Sequence, residues 1–525
     1  MKLFFLFVTC SWGVLSASAQ QLQFNAPDPL PHGSYGDIHA SPGILGDHYY
    51  ILYNEMARKV KGDKDPGDAY LKIYSIEKGT LLHSINLDSL ALKNTPDKNI
   101  LFADLLIWKG RFLGVYASWT PSGTWVNLYA QLYDPEGNMV GNPRLLETIS
   151  PLESKRKKAE KVATLDGKDV LDLTKDVQYR FNRDSSRVAL YYAAHAWKGF
   201  RPTLLGPDLQ HPEKWAIDLG DRDQLLTCVP EGKDSLFALV KQAAPSTDEP
   251  AGFRLLAYTP GNVSRTPISI EIPKKIIQDA SFSFSKDGSI VVTGTYTLPG
   301  RALNATYGVF ALQMNTAGKG MHTDIRPFQG AMISDLESYK AAAKEKGLQG
   351  IIRVSKIIPL AGEGMVSVGR STYQGTEVTA YPIVLAPHYD AGGNIVLTGV
   401  SSKGEIKWIS YLKRFYENYP STTMPTPFYA ARDQNSHLVV VYDENGEQRT
   451  KQQIFIDRYG DKGIQDRDWM ALPKSFNTRS TWILWNTACQ TDHDAIMVAY
   501  YNTWKKELGT LKIGLRNGMR LTANP

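Results

Sequence analysis

Hydrophobic and polar positions alternate along this chain in short runs of period two. One arrangement returns four times: an alternating strand, a tight polar turn, then a more apolar strand. Gln178–Tyr192 and Ser281–Thr295 are the clearest copies, and Leu226–Val240 and Phe428–Tyr442 are looser ones. Counted by the more apolar strand, candidate units are centred near residues 50, 115, 190, 237, 292, 367, 439 and 497. A supersecondary unit that recurs along a chain cannot bury its apolar face alone and stacks on its neighbours. The pattern predicts an all-β fold, a single β-propeller of seven or eight blades, with eight the better count, spanning residues 20–525. Ring closure is expected to pair the stretch after Gln20 with the last strands near 508–515.

Turn chemistry fits this reading. Lys78-Gly79 and Lys109-Gly110 sit at hairpin positions where glycine accepts a positive φ, and Asp134-Pro-Glu-Gly137 is a turn preset by its proline. Two segments break the strand pattern and are predicted as small helical insertions. Residues 150–176 are charged. Ser334–Lys346 opens with the capping box Ser334-Asp-Leu-Glu337, runs through Ala341-Ala-Ala343 and ends before Gly347. So little helix elsewhere disfavours alternating β/α architectures.

Three short motifs carry a resemblance. Phe284-Ser-Lys-Asp-Gly288 resembles the strand-to-strand turn of WD-repeat and Tol-type propellers, without the WD dipeptide itself. Ser401-Ser-Lys-Gly-Glu-Ile-Lys-Trp408 resembles an outer hairpin, and Ile357–Gly369 the inner strands, of large exported bacterial propellers. The resemblance implies a fold and a compartment, not an activity.

The N-terminus points to the same compartment. Lys2, an apolar run opening at Leu3–Val8 and reaching Leu15, and the small-x-small site Ala17-Ser18-Ala19 read as a signal peptide, residues 1–19. Phe7-Val8-Thr9 lacks the small residue that lipid attachment at Cys10 wants, so Cys10 is expected to leave with the signal. No later stretch approaches the roughly 18 consecutive apolar residues of a spanning helix. The expected location is the periplasm, the cell surface or the extracellular space.

Composition is ordinary for a globular protein, at 42% hydrophobic, 21% charged and 11% aromatic. The net charge of +6 is spread among interleaved signs, too thin for a nucleic-acid footprint. Cys228 and Cys489 fall on or just after the first strands of units far apart around the ring. They are expected as two buried free thiols on nearly opposite sides, beyond the ~7 Å reach of a disulfide. No CxxC or mixed Cys/His cluster suggests structural zinc.

Candidate chemistry is sparse. Asp37, His39, Asp104 and Asp279, with Arg353 and Arg432, fall near the starts of inferred innermost strands, where a closed ring brings them to one mouth of the channel. The plain alternative is that such groups line a wet channel or satisfy backbone groups. Asp63, Asp65 and Asp68 offer three carboxylates in a glycine-containing loop, a weak calcium candidate without EF-hand spacing. Asp492-His-Asp494 and His388-Tyr-Asp390 are explained by turn propensity. The chain contains no HExxH, GxSxG or phosphate loop. Trp108, Trp119, Trp125 and Trp408 lie in strand patterns, where packing between blades is the commoner use. The expectation is a monomeric binding or scaffold module of the bacterial envelope that grips a protein or glycan ligand, without a cofactor. The alternative is a propeller enzyme acting on a glycan or another extracellular polymer through acidic residues at the channel mouth.

Overall fold

The computed structural model describes residues 22–24, 28–29 and most of the span 38–515. Residues 1–21, 516–525, 55–67, 120–124, 150–176, 193–198, 337–346, 376–388, 413–427, 444–452 and 477–480, with a few shorter stretches, lie outside the described residues. The candidates Asp37, Asp63, Asp65, His388 and Asp492-His-Asp494 fall among them, as does the predicted insertion at 150–176.

Eight antiparallel sheets follow one another along the chain, each a meander running from an innermost first strand to an outer edge. Their second strands are His48–Asn54, Arg111–Trp119, Val188–Tyr192, Ser235–Gln242, Ile290–Thr297, Gly364–Gly375, Leu438–Asp443 and Ala495–Asn502. Each contains one of the eight predicted centres. We number the blades 1 to 8 in that order. The motif that returns four times in the sequence is the hairpin of the first and second strands in blades 3, 4, 5 and 7.

Blade 8 takes its outer strand from the other end of the chain. Leu22, Gln23 and Phe24 pair with Ile513, Lys512 and Leu511, and Asp28 and Pro29 pair with Leu508 and Glu507. The apolar core explains why the ring closes. It divides into eight clusters, one at each interface between neighbouring blades, including that between blades 8 and 1, where Tyr49, Ile51 and Tyr53 meet Leu484, Met497 and Tyr501. Alternation supplies both neighbours from one strand. In Ile290–Thr297, Ile290 and Val292 pack towards blade 4 while Val291 packs towards blade 6. In Arg111–Trp119, Leu113, Val115 and Ala117 face blade 3 while Phe112 and Tyr116 face blade 1. This is why second strands read as continuously apolar: both of their faces are buried.

The meander sorts the connections between two faces. Turns joining first to second and third to fourth strands are short, such as 109–110, 232–234, 315–319 and 461–462. Connections joining second to third strands, and one blade to the next, leave from the opposite face. The long ones, 55–68, 150–176, 328–347, 376–388 and 413–428, are all of this kind. Two ribbons also lie on that face, Gly199–Phe200 with Ile217–Asp218 and Ala305–Thr306 with Leu348–Gln349. On the short-turn face, Arg183 of blade 3 pairs with Glu231 of blade 4 and donates to the carbonyls of Ser285 and Lys286 of blade 5, at 3.2 and 3.1 Å.

Three details depart from expectation. The helix expected from Ser334 begins earlier, spanning Gly330–Leu336, with the Gln329 carbonyl accepting from Ile333 N; Ser334 is inside it rather than capping it. A further short helix, Leu87–Ala91, is capped by Asn86, whose side chain accepts from Ser89 N. Trp108, Trp119 and Trp408 are buried as expected, but Trp125 precedes its strand and is 51% exposed. Cys228 and Cys489 are free and lie on the first strands of blades 4 and 8, opposite one another in an eight-membered ring; Cys228 is buried as expected, whereas Cys489 is only half-buried, beside Ser41 Oγ.

Candidate functional site

First strands carry a recurring irregularity. In blades 2, 4, 5 and 6 one extra residue, respectively Ala103, Leu226, Gln278 and Ser355, shifts the ladder against the second strand. Such bulges re-aim the side chains beside them and free backbone groups that need new partners. Neighbouring blades supply those partners. Val354 N donates to Asp279 Oδ2 at 2.7 Å, Ile352 N donates to Thr306 Oγ1 at 3.3 Å, and Thr295 Oγ1 donates to the Ile352 carbonyl at 2.8 Å. Within its own blade, the bulged Gln278 donates through Nε2 to the carbonyls of Leu303 and Ala305, at 2.7 and 3.1 Å.

Around these bulges lies a cavity of about 320 Å³, lined by Arg180 of blade 3, Leu226 and Thr227 of blade 4, Asp279, Ala280 and Ser281 of blade 5, and Arg353, Val354 and Arg370 of blade 6. Asp279 and Arg353 occupy the first halves of their strands, which start from the long-connection face, while Arg180 is near the short-turn end of Val177–Phe181 and donates to the Tyr179 carbonyl at 2.8 Å. Burial pushes the Asp279 carboxyl up to about 6, opposed by the Val354 N–H and by the cationic Lys241 and Arg353. Lys241 donates to the Gln278 carbonyl at 3.3 Å, and burial lowers its pKa. Arg353 and Arg370 are direct cross-strand partners.

Of the predicted residues, Asp279 and Arg353 are thus brought together. His39 lies at a register shift on the first strand of blade 1, between Ile38 and Ala40. Asp104 holds the position in blade 2 that Asp279 holds in blade 5, just after the bulge. It is not among the cavity-lining residues. Its Oδ1 accepts from Leu105 N at 2.7 Å, and burial raises its carboxyl to about 6. Arg432 is on the first strand of blade 7, where Gln490 of blade 8 accepts from its N–H at 3.0 Å and donates to its carbonyl; it too is apart from the cavity. Asp68 is exposed and accepts from Tyr70 and Asn86, and no cluster of three metal-ligating side chains occurs among the described residues.

Arg180, Arg370, Thr227 and Ser281 were not singled out by sequence. For Arg370 the signal exists but is misleading. Near the hairpin turn Lys356 pairs with Val368, and continuing that ladder puts Ser371 opposite Arg353; the bulge at Ser355 substitutes Arg370.

No family model and no curated protein matches the chain. Among solved structures it is similar to the C-terminal WD40 domain of Sif2 (9% identity, 95% of this chain and 99% of that one, TM-score 0.39). It is similar also to the polysaccharide lyase Uly1 (10%, 90% and 100%, 0.38) and to the β-propeller domain of the Trilobed protease from Pyrococcus furiosus (9%, 82% and 100%, 0.35). Scores of this size carry no functional argument; the architecture rests on the sheets themselves.

Proposed function

We propose that this protein is an exported binding module of the bacterial envelope that grips a glycan at the mouth of its channel, on the long-connection face. One observation carries the reading: four successive blades contribute polar and charged side chains to a single cavity. Its volume is at the lower end of the ~300–1,000 Å³ typical of ligand pockets, so it suits one or two sugar units rather than a folded partner. Thr227, Ser281, Asp279 and the arginines give the cavity hydrogen-bonding groups for a sugar's hydroxyls, and Leu226, Ala280 and Val354 give it apolar surface for a sugar's ring face. For the enzymatic alternative, glycosidases use two carboxyl groups ~5–9.5 Å apart. The lining of this cavity holds one, Asp279, which supports binding as the better reading.

The test is an oligosaccharide array probed with the purified protein, followed by mass spectrometry of the recovered ligand. Retention of one glycan class with chain lengths unchanged is the expected result. Shortened products would support the enzyme instead, and an empty array together with capture of a protein partner would overturn the glycan reading.

A further inference from the structure

Two charged side chains in the cavity wall face one space without closing on each other. Asp279 of blade 5 and Arg353 of blade 6 line it together and attract one another, yet neither is in an ion pair among the described residues. The carboxylate is only partly used. It offers about four acceptor sites, of which Val354 N, at 2.7 Å, and Ala280 N take their share, so room is left for further donors. Arg353 is exposed, and its guanidinium makes no hydrogen bond to any described residue. The other cations are engaged: Arg180 donates to the Tyr179 carbonyl at 2.8 Å, Lys241 to the Gln278 carbonyl at 3.3 Å, and Arg370 is also partnered. A carboxylate only accepts and a guanidinium only donates. Whatever bridges them must therefore donate on one side and accept on the other. A carboxylate or sulfate on the ligand fails the first requirement and is repelled by Asp279. A hydroxyl meets both, and two hydroxyls on neighbouring carbons reach both side chains at once. Charge-assisted bonds are the strong ones, and bonds linked in a chain reinforce one another.

We propose that Asp279 and Arg353 clasp a vicinal diol of the sugar, which donates to the carboxylate and accepts from the guanidinium. The ligand class is a glycan whose entering residue carries two adjacent unsubstituted hydroxyls, with Leu226, Ala280 and Val354 against its ring face. The two side chains come from successive blades, so the diol bridges the seam that Val354 N and Asp279 Oδ2 already tie. Recognition is strongest with the ionised acid. Burial keeps a proton on Asp279 up to about pH 6, against the pull of the Val354 N–H, Lys241 and Arg353, while Arg180 and Arg370 line the same cavity. The diol therefore binds better as pH rises through that value.

This inference rests on the glycan reading, and the experiment separates the two. The probes are the methyl glycosides of glucose, galactose and mannose, with myo-inositol as a cyclic polyol that is not a sugar. Titration calorimetry of each is run between about pH 5 and 8 on the wild type, D279N and R353Q. D279N keeps an oxygen for Val354 N and R353Q replaces an exposed side chain, so both variants are expected to fold. At least one glycoside should bind, about tenfold more tightly at pH 7 than at pH 5, the change in ionised fraction of an acid titrating near 6. Methylating one of its adjacent hydroxyl pairs should abolish binding. D279N should weaken binding roughly tenfold at pH 7 and flatten the pH profile, which a merely structural role does not do. R353Q should weaken it by a similar factor and keep the rise with pH, its midpoint moved upward by loss of the cation. Glycoside binding that ignores pH, both substitutions and methylation of every adjacent hydroxyl pair overturns the clasp and leaves the glycan reading standing. Inositol binding that depends on both residues, with no glycoside bound, supports the clasp and removes the glycan reading. No binding by any probe overturns the clasp.

Discussion

Asp104 and Asp279 show what one repeated position does to a carboxylate. Each follows a bulge on a first strand, and in each case burial lifts the carboxyl from 3.8 to about 6. The native state then holds a proton that the unfolded chain has already released, so stability declines as pH rises from 3.8 to 6, and the penalty is complete above 6. D104N removes one such penalty while keeping an oxygen to accept from Leu105 N. It is expected to be more stable than the wild type by about 1–2 kcal/mol at pH 7, with the difference closing as pH is lowered through 6. Chemical denaturation at a series of pH values measures it. A constant offset would show that the charge is not the cause. Both aspartates lie on first strands, as the strand pattern predicts, but only Asp279 lines the cavity. The sequence did not show that a cavity forms at one and not the other. That depends on Arg370 and Arg180, whose approach is decided by a ladder shift and by side-chain length across blades.

At the scale of the element, the blades were legible because second strands are buried on both faces and so read as apolar runs. The bulges were not, since an inserted residue leaves no mark on composition. Their determinants lie partly on the second strand. A Cβ added to Gly294 would collide with the Asp279 carbonyl and with the Phe310 ring. Gly294 therefore gives the bent first strand room. G294A is expected to cost about 1–3 kcal/mol, as overpacking usually does, and to weaken ligand binding by displacing Asp279. Thermal unfolding and calorimetry together test this. Loss of stability with unaltered binding would mean that the bulge does not set the cavity. The helix start was read less well: the chain enters the helix at Gly330, where the Gln329 carbonyl accepts from Ile333 N, four residues before Ser334, and residues 337–346 of the expected helix lie outside the described residues.

For the whole molecule, closure is the decisive feature. Leu22–Phe24 and Asp28–Pro29 cover what would otherwise be the open edge of Glu507–Gly514. The seam is reinforced where Thr510 Oγ1 donates to the Gly79 carbonyl at 2.9 Å, and where buried Arg458 of blade 7 pairs with Asp468 at 2.5 Å and donates to the Leu515 carbonyl at 2.9 Å. Deleting residues 20–29 is expected to cost roughly 3–5 kcal/mol, among the larger effects of local changes. It should also cause self-association through the bared strand, as uncovered edges do. Melting curves and sedimentation velocity report both, and an unchanged, monodisperse protein would show that the ring holds without its seam. This closure was readable beforehand, since a ring of blades needs its ends joined.

The seam also fixes a direction. Leu22 lies beside Ile513, so the described chain enters and leaves at the same rim, the one bearing the short turns, while Asp279 and Arg353 stand in the halves of their strands nearer the other rim. Anything that takes hold beside Leu22 or Leu515 therefore meets the ring at its short-turn rim and leaves the opposite rim uncovered.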